Sequence, residues 1–185
     1  MKVKKIVFGL FLALLTVACK GEKESKEEDK KDATELAPTY DVSLNMVIPA
    51  DDTFQLFYTE DGSIVFGDDR SVRSVVKGSD KVQEVIFKLP VDVLPTNIRL
   101  DFGDNPEQGN IVIKSMKLSY MNNSYQKVFG PNEEITHYFY PQEAQIKVDN
   151  STSTIELLKP KGQPHDPLMW SNELLSDEIV KLYKK

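Results

Sequence analysis

Carboxylates, amides, histidines and aromatic rings are the side chains of this sequence with chemistry to offer. They gather in four short stretches: "FGDDRS" (66–71), "DFGDNPEQGN" (101–110), "ITHYFYPQ" (135–142) and "GQPHDPLMW" (162–170). In the second, Asp101, Asp104, Asn105 and Glu107 crowd one loop. Calcium takes clustered oxygens from Asp, Asn, Glu and backbone carbonyls, so Asp104, Asn105 and Glu107 are candidate calcium ligands. Their spacing does not match an EF-hand loop. Asp, Asn, Gly and Pro are also what a turn uses to close itself, and that reading accounts for the composition without a metal. Alternation sends Ile98, Leu100 and Phe102 inward and puts Arg99 beside Asp101 on the other face. Asp101 is therefore expected as a partner of Arg99.

The third stretch offers sugar chemistry. In an alternating strand Tyr138 and Tyr140 share one face and Phe139 takes the other. With Phe139 in the core, the two tyrosines form a platform for a pyranose ring, extended by Trp170, Tyr120 and Tyr125. The plainer reading makes Trp170 a cover for the core and the tyrosines an edge seal, since aromatics in sandwiches mostly pack. Catalysis finds less support. The two histidines, His137 and His165, lie outside any HExxH spacing, and no G-x-S-x-G elbow is present. No nucleophile and base, or acid and base, are paired by the sequence. A non-catalytic protein is expected.

The elements that must position these groups begin after a processing signal. Lys2, Lys4 and Lys5 precede the apolar run "IVFGLFLALLTVA" (6–18). The run is too short to span a bilayer comfortably. Cys19, the single cysteine, follows Ala18. "LTVAC" resembles the lipobox of bacterial lipoproteins, with Thr16 where that family usually has Leu and Leu15 one position further back. The resemblance implies diacylglycerol on Cys19, and two or more acyl chains anchor a protein stably. "KGEKESKEEDKKDATELAPT" (20–39) is almost entirely charged and cannot bury enough apolar surface to fold, so it reads as a tether. "SKEED" (25–29) resembles the acidic export signal of surface lipoproteins of the Bacteroidetes phylum. An outer-membrane lipoprotein with a 1–18 signal peptide, a 19–39 lipidated tether and a 40–185 domain is expected.

The full chain of 185 residues carries a net charge of −6. Loss of residues 1–18 removes three lysines and no acid, leaving about −9. Such a protein is a poor partner for nucleic acid. One cysteine excludes an internal disulfide, so packing must hold the domain.

From Tyr40 on, short alternating runs are separated by turn residues. They are "FQLFYT" (54–59), "SIVFG" (63–67), "SVRSVVKG" (71–78), "VQEVIFKLP" (82–90), "IRLDF" (98–102), "NIVIKSMKLSY" (110–120), "QKVFG" (126–130), "AQIKVD" (144–149) and "STIELLK" (153–159). This spacing predicts an all-β sandwich, jelly-roll-like before immunoglobulin-like. "SNELLSDEIVKLYKK" (171–185) has Leu175, Ile179 and Leu182 at helical spacing, with Ser171 or Asn172 as cap, and predicts a short C-terminal helix. Residues 54–120 resemble a jelly-roll β-sandwich module found beside bacterial surface-polysaccharide and membrane glycosyltransferase proteins. That likeness implies a binding module for glycan or an envelope partner. A structural or assembly lipoprotein without a small ligand is the alternative, and a hydrolase of unrecognised type comes third. If Cys19 bears the lipid, Cys19→Ala moves the protein from the membrane to the soluble fraction on fractionation; continued membrane association would refute the anchor.

Overall fold

The computed structural model describes residues 38–184, so the expected signal segment, Cys19 and nearly all of the tether lie outside the described residues. The elements are β1 (Tyr40–Ile48), β2 (Asp52–Thr59), β3 (Ser71–Val76), β4 (Ser79–Lys88), β5 (Asn97–Asp101), β6 (Ile111–Tyr120) and β7 (Asn123–Val128). A 3-10 turn (Ile135–His137), β8 (Phe139–Pro141), β9 (Ile146–Asp149), β10 (Thr154–Leu157), β11 (Leu168–Ser171) and α1 (Glu173–Lys181) complete the order. One sheet runs β4-β1-β6-β10-β9, with β7 also paired to β6; the other runs β3-β2-β5-β11-β8. Neighbouring strands are antiparallel in both. The described residues form an all-β sandwich with one short C-terminal helix, as the turn-punctuated alternation predicts. Among the described strands only the β2–β3, β6–β7 and β9–β10 connections stay within a sheet; the rest pass from one sheet to the other.

The inward faces follow from alternation. Tyr40, Val42, Leu44, Met46 and Ile48 of β1 are buried, as are Phe54, Leu56 and Tyr58 of β2 and Ile98 and Leu100 of β5. In β6 the phase changes midway. The register slips by one residue between Asn45↔Ser115 and Met46↔Ile113, leaving Lys114 as a bulge. Ile111 and Ile113 point inward before it, Met116 and Leu118 after it. The carbonyl of Lys114 is not wasted: it accepts from the Phe129 N–H at 2.9 Å.

Two expectations shift. "SIVFG" forms no strand, because the edge of β2 is already taken by β3, with Phe57 opposite Ser71. The segment instead hangs from side chains. Thr59 Oγ1 donates to the Ser63 carbonyl at 2.7 Å, and Asp61 accepts from the Ser63 N–H at 3.0 Å. Ile64 and Val65 are left 61% and 80% exposed. The helix is shorter than 171–185. Ser171 ends β11, and Asn172 caps α1 by accepting from the Leu175 N–H at 3.1 Å.

Leu175 and Ile179 of α1 are fully buried. The helix is pinned by Tyr40, whose hydroxyl donates to the Ile179 carbonyl at 3.3 Å, and by Asn123, which donates to the Leu182 carbonyl at 2.8 Å. Just beyond it, Tyr183 donates to the Pro95 carbonyl at 2.8 Å. Among the described residues no helix is long and apolar enough to cross a membrane. Phe102, fully buried and edge-on to Phe54 with centroids 5.8 Å apart, sits between the sheets. Phe102→Ala is expected to cost about 3–5 kcal/mol in urea unfolding of the sandwich.

Candidate functional site

The 101–110 loop spends its polar groups on closing itself. Gly103 has φ +89, and a Cβ there would collide with the Asp52 carboxylate, so the position needs glycine. Asp52 accepts from the backbone N–H groups of Thr53 at 2.8 Å and Asp104 at 3.2 Å. Asn105 accepts from the Glu107 N–H at 2.9 Å and donates to the Asp51 carbonyl at 3.0 Å. Gln108 is buried and clamps Ala50 from both sides, accepting from its N–H at 2.9 Å and donating to its carbonyl at 3.1 Å. Asp51 reaches the next corner, accepting from the Gly78 N–H at 2.8 Å and from Lys77 at 2.6 Å. The loop thus fastens onto the β1–β2 corner, and Asp51 of that corner ties it to the β3–β4 corner. Asp104, Asn105 and Glu107 do not converge on one point: Asn105 turns onto backbone, and the exposed Glu107 lies 3.9 Å from Lys159. Among the described residues no group of three or more His, Cys, Asp or Glu is gathered to hold a metal.

Arg99 and Asp101 are partners on the outer face of β5, as alternation implies. Arg99 donates Nε to Oδ1 at 2.8 Å and Nη2 to Oδ2 at 2.7 Å. Its guanidinium lies 4.0 Å from the centre of Phe57 and 5.7 Å from that of Phe66. Burial pushes the Asp101 carboxyl above its ordinary value, although Arg99 pulls the other way. This is a lid over Phe57 and not a ligand site.

The expected platform splits in two. Tyr138 follows the 3-10 turn with φ −119 and ψ −22, and β8 begins only at Phe139, so the alternation that would pair Tyr138 with Tyr140 is broken between them. Tyr138 is buried, edge-on to Phe129 at 6.1 Å, under Lys127, with its hydroxyl donating to Glu133. It is a packing residue and not a platform. Tyr120 stacks on Tyr40 and meets Tyr183, while Tyr125 sits beneath Lys127; neither joins a platform either. Phe139 is in the core, as expected.

Tyr140 and Trp170 do come together. They face each other across the β8–β11 ladder, with centroids 6.2 Å apart and planes inclined by 54°. Tyr140 is 44% exposed. Both rings wall a cleft of about 470 Å³ between the outer face of this sheet and α1. Asn97, Ser171 and Ser176 lie at its base in a network of their own. Asn97 Oδ1 accepts from Ser176 at 2.6 Å and Ser171 at 3.4 Å, and Asn97 Nδ2 donates to the Ser63 carbonyl at 3.1 Å. The rim carries Asn172, Glu173, Asp177 and Lys184, with Ile64 opposite. Tyr140 donates its hydroxyl to Glu173 Oε2 at 2.7 Å, which holds the Glu173 carboxyl below the usual glutamate range.

Chemically, the cleft offers a ring-stacking wall and a polar rim. Neither histidine lines it, and its serine hydroxyls are engaged in the base network. Glu173, Asp177 and Asn97 do not stand out as site residues in the sequence. The available signal was the helical spacing, which puts Glu173 and Asp177 on one side of α1, away from Leu175 and Ile179. No protein-family model, curated protein or solved structure matches this chain. Tyr138→Ala is expected to lose roughly 3 kcal/mol or more of stability, and Tyr140→Ala under about 1 kcal/mol, in parallel urea titrations.

Proposed function

We propose that this chain is a lipid-anchored protein of the bacterial outer membrane whose sandwich is a non-catalytic binding module for glycan. The observation that carries the binding reading is the Tyr140–Trp170 pair on the wall of the α1 cleft. Sugars bury their apolar ring faces against aromatic side chains while amides and carboxylates at the edge take their hydroxyls. Tyr140 and Trp170 supply the first, and Glu173 and Asp177 the second. The anchor is supported by the run of Lys2, Lys4, Lys5, residues 6–18 and Cys19.

An envelope protein partner is the second reading. Ile64, which lines the cleft, and its sequence neighbour Val65 are more exposed than a sugar site requires and suit an apolar protein contact. Calcium is not part of either reading.

Trp170 is the chain's single tryptophan, so its fluorescence reports on the cleft directly. Titration of the fragment beginning at Pro38 with an oligosaccharide panel is expected to change that fluorescence saturably. Tyr140→Ala is expected to weaken the response by roughly tenfold while leaving the fold intact. Silence across the panel, together with co-purification of a stable protein partner, would replace the glycan reading with the partner one.

A further inference from the structure

We infer that the Tyr140–Trp170 cleft selects glycans bearing protonated amino sugars and turns away acidic ones. This rests on the glycan reading above and adds the charge class of the ligand.

The base of the cleft cannot do the selecting. Asn97 is occupied by Ser171, Ser176 and Ser63, and Ser176 also donates to the Asn172 carbonyl at 2.8 Å. These groups satisfy one another. Recognition falls to the aromatic wall and the rim. On that rim Glu173 touches Tyr140 itself through the 2.7 Å hydroxyl contact. Asp177 follows one helical turn later and lines the same cleft. Two carboxylates therefore line the same cleft as two aromatic rings.

That combination suits a cation. Ring faces are negative, and a positive group over tryptophan or tyrosine is attracted by them. A carboxylate within reach adds a charge-assisted hydrogen bond. Because the Tyr140 hydroxyl is donated to Glu173, the ring is held in place and its proton is unavailable to a ligand oxygen. A sugar carboxylate or sulfate would meet Glu173 and Asp177 instead, with Lys184 as the only basic side chain among the described lining residues. Lys181, on the same helix, is drawn to Glu178 at 2.6 Å. The net charge of −6 opposes acidic polymers at longer range as well.

Three probes of matched length test this on the sandwich fragment from Pro38, which contains the whole core described above. They are glucosamine oligomers in mildly acidic buffer, their N-acetylated neutral counterparts, and oligogalacturonate, all followed by Trp170 fluorescence. The glucosamine oligomers are expected to bind roughly fivefold or more tighter than the neutral ones, the scale of one partly exposed cation–ring contact, with oligogalacturonate weakest. Glu173→Gln keeps an acceptor for Tyr140 and removes the charge, so it is expected to lower binding of the glucosamine oligomers more than that of the N-acetylated ones and so to shrink the preference. Asp177→Asn provides a second variant should the helix start suffer. Equal binding of the charged and neutral oligomers, or tighter oligogalacturonate, overturns the charge selection but leaves glycan binding standing. No response to any of the three overturns the charge selection, and silence across the wider oligosaccharide panel overturns the glycan reading with it.

Discussion

The inward faces of β1 and β6 meet those of β2 and β5 across a layer in which Leu44, Met46, Leu56, Leu100 and Ile113 are almost wholly out of water. With a single cysteine there is no internal disulfide to share the burden, so burial of these rows must offset the chain's ordering entropy. Every other arrangement is downstream of it. The Lys114 bulge exists because β6 must serve this layer along its whole length, and a strict alternation would have sent Met116 and Leu118 to solvent. The tyrosines at the end of the layer, Tyr40, Tyr120 and Tyr183, extend it to α1, and α1 in turn forms one side of the cleft.

The same layer explains why polar groups at the sandwich ends are so fully employed. A connection that crosses between sheets leaves backbone donors and acceptors without ladder partners. Gln108, Asp51 and Asp52 meet those demands at one corner; Thr59, Thr96 and Asn97 meet them near the cleft. The loop rich in acids and amides that looks most like a metal site is thus the place where the architecture most needs short polar side chains.

Much of this was legible in the sequence, and the exceptions have physical reasons. The inward row of Ile98, Leu100 and Phe102, and the pairing of Arg99 with Asp101, follow from period-two alternation because β5 is short, central and unbulged. The helix register of Leu175 and Ile179 was equally plain. Tyr138 was misplaced because a 3-10 turn ends just before it, and such a turn leaves no trace in a polar–apolar pattern. "SIVFG" alternates like a strand, but its neighbour position was already filled by β3. The base of the cleft joins Asn97 to Ser171 and Ser176 across 74 and 79 residues, a contact that no local pattern encodes. The aromatic pair is half visible: the sequence offers Tyr140 and Trp170 as ring candidates, but their meeting depends on β8 lying beside β11.

The position of β1 has a mechanical consequence. It is the first strand of the fold, yet it lies inside its sheet, bonded to β4 on one side and β6 on the other. Just ahead of it, the Pro38 carbonyl accepts from the Asp92 N–H, and Tyr40 grips α1. Tension applied to the chain ahead of Tyr40 would act along the axis of β1. The two ladders would then be loaded in shear, with many bonds sharing the force, and would not be unzipped from an edge. A domain pulled from that end while its cleft is held would resist as a unit until its central strand slides.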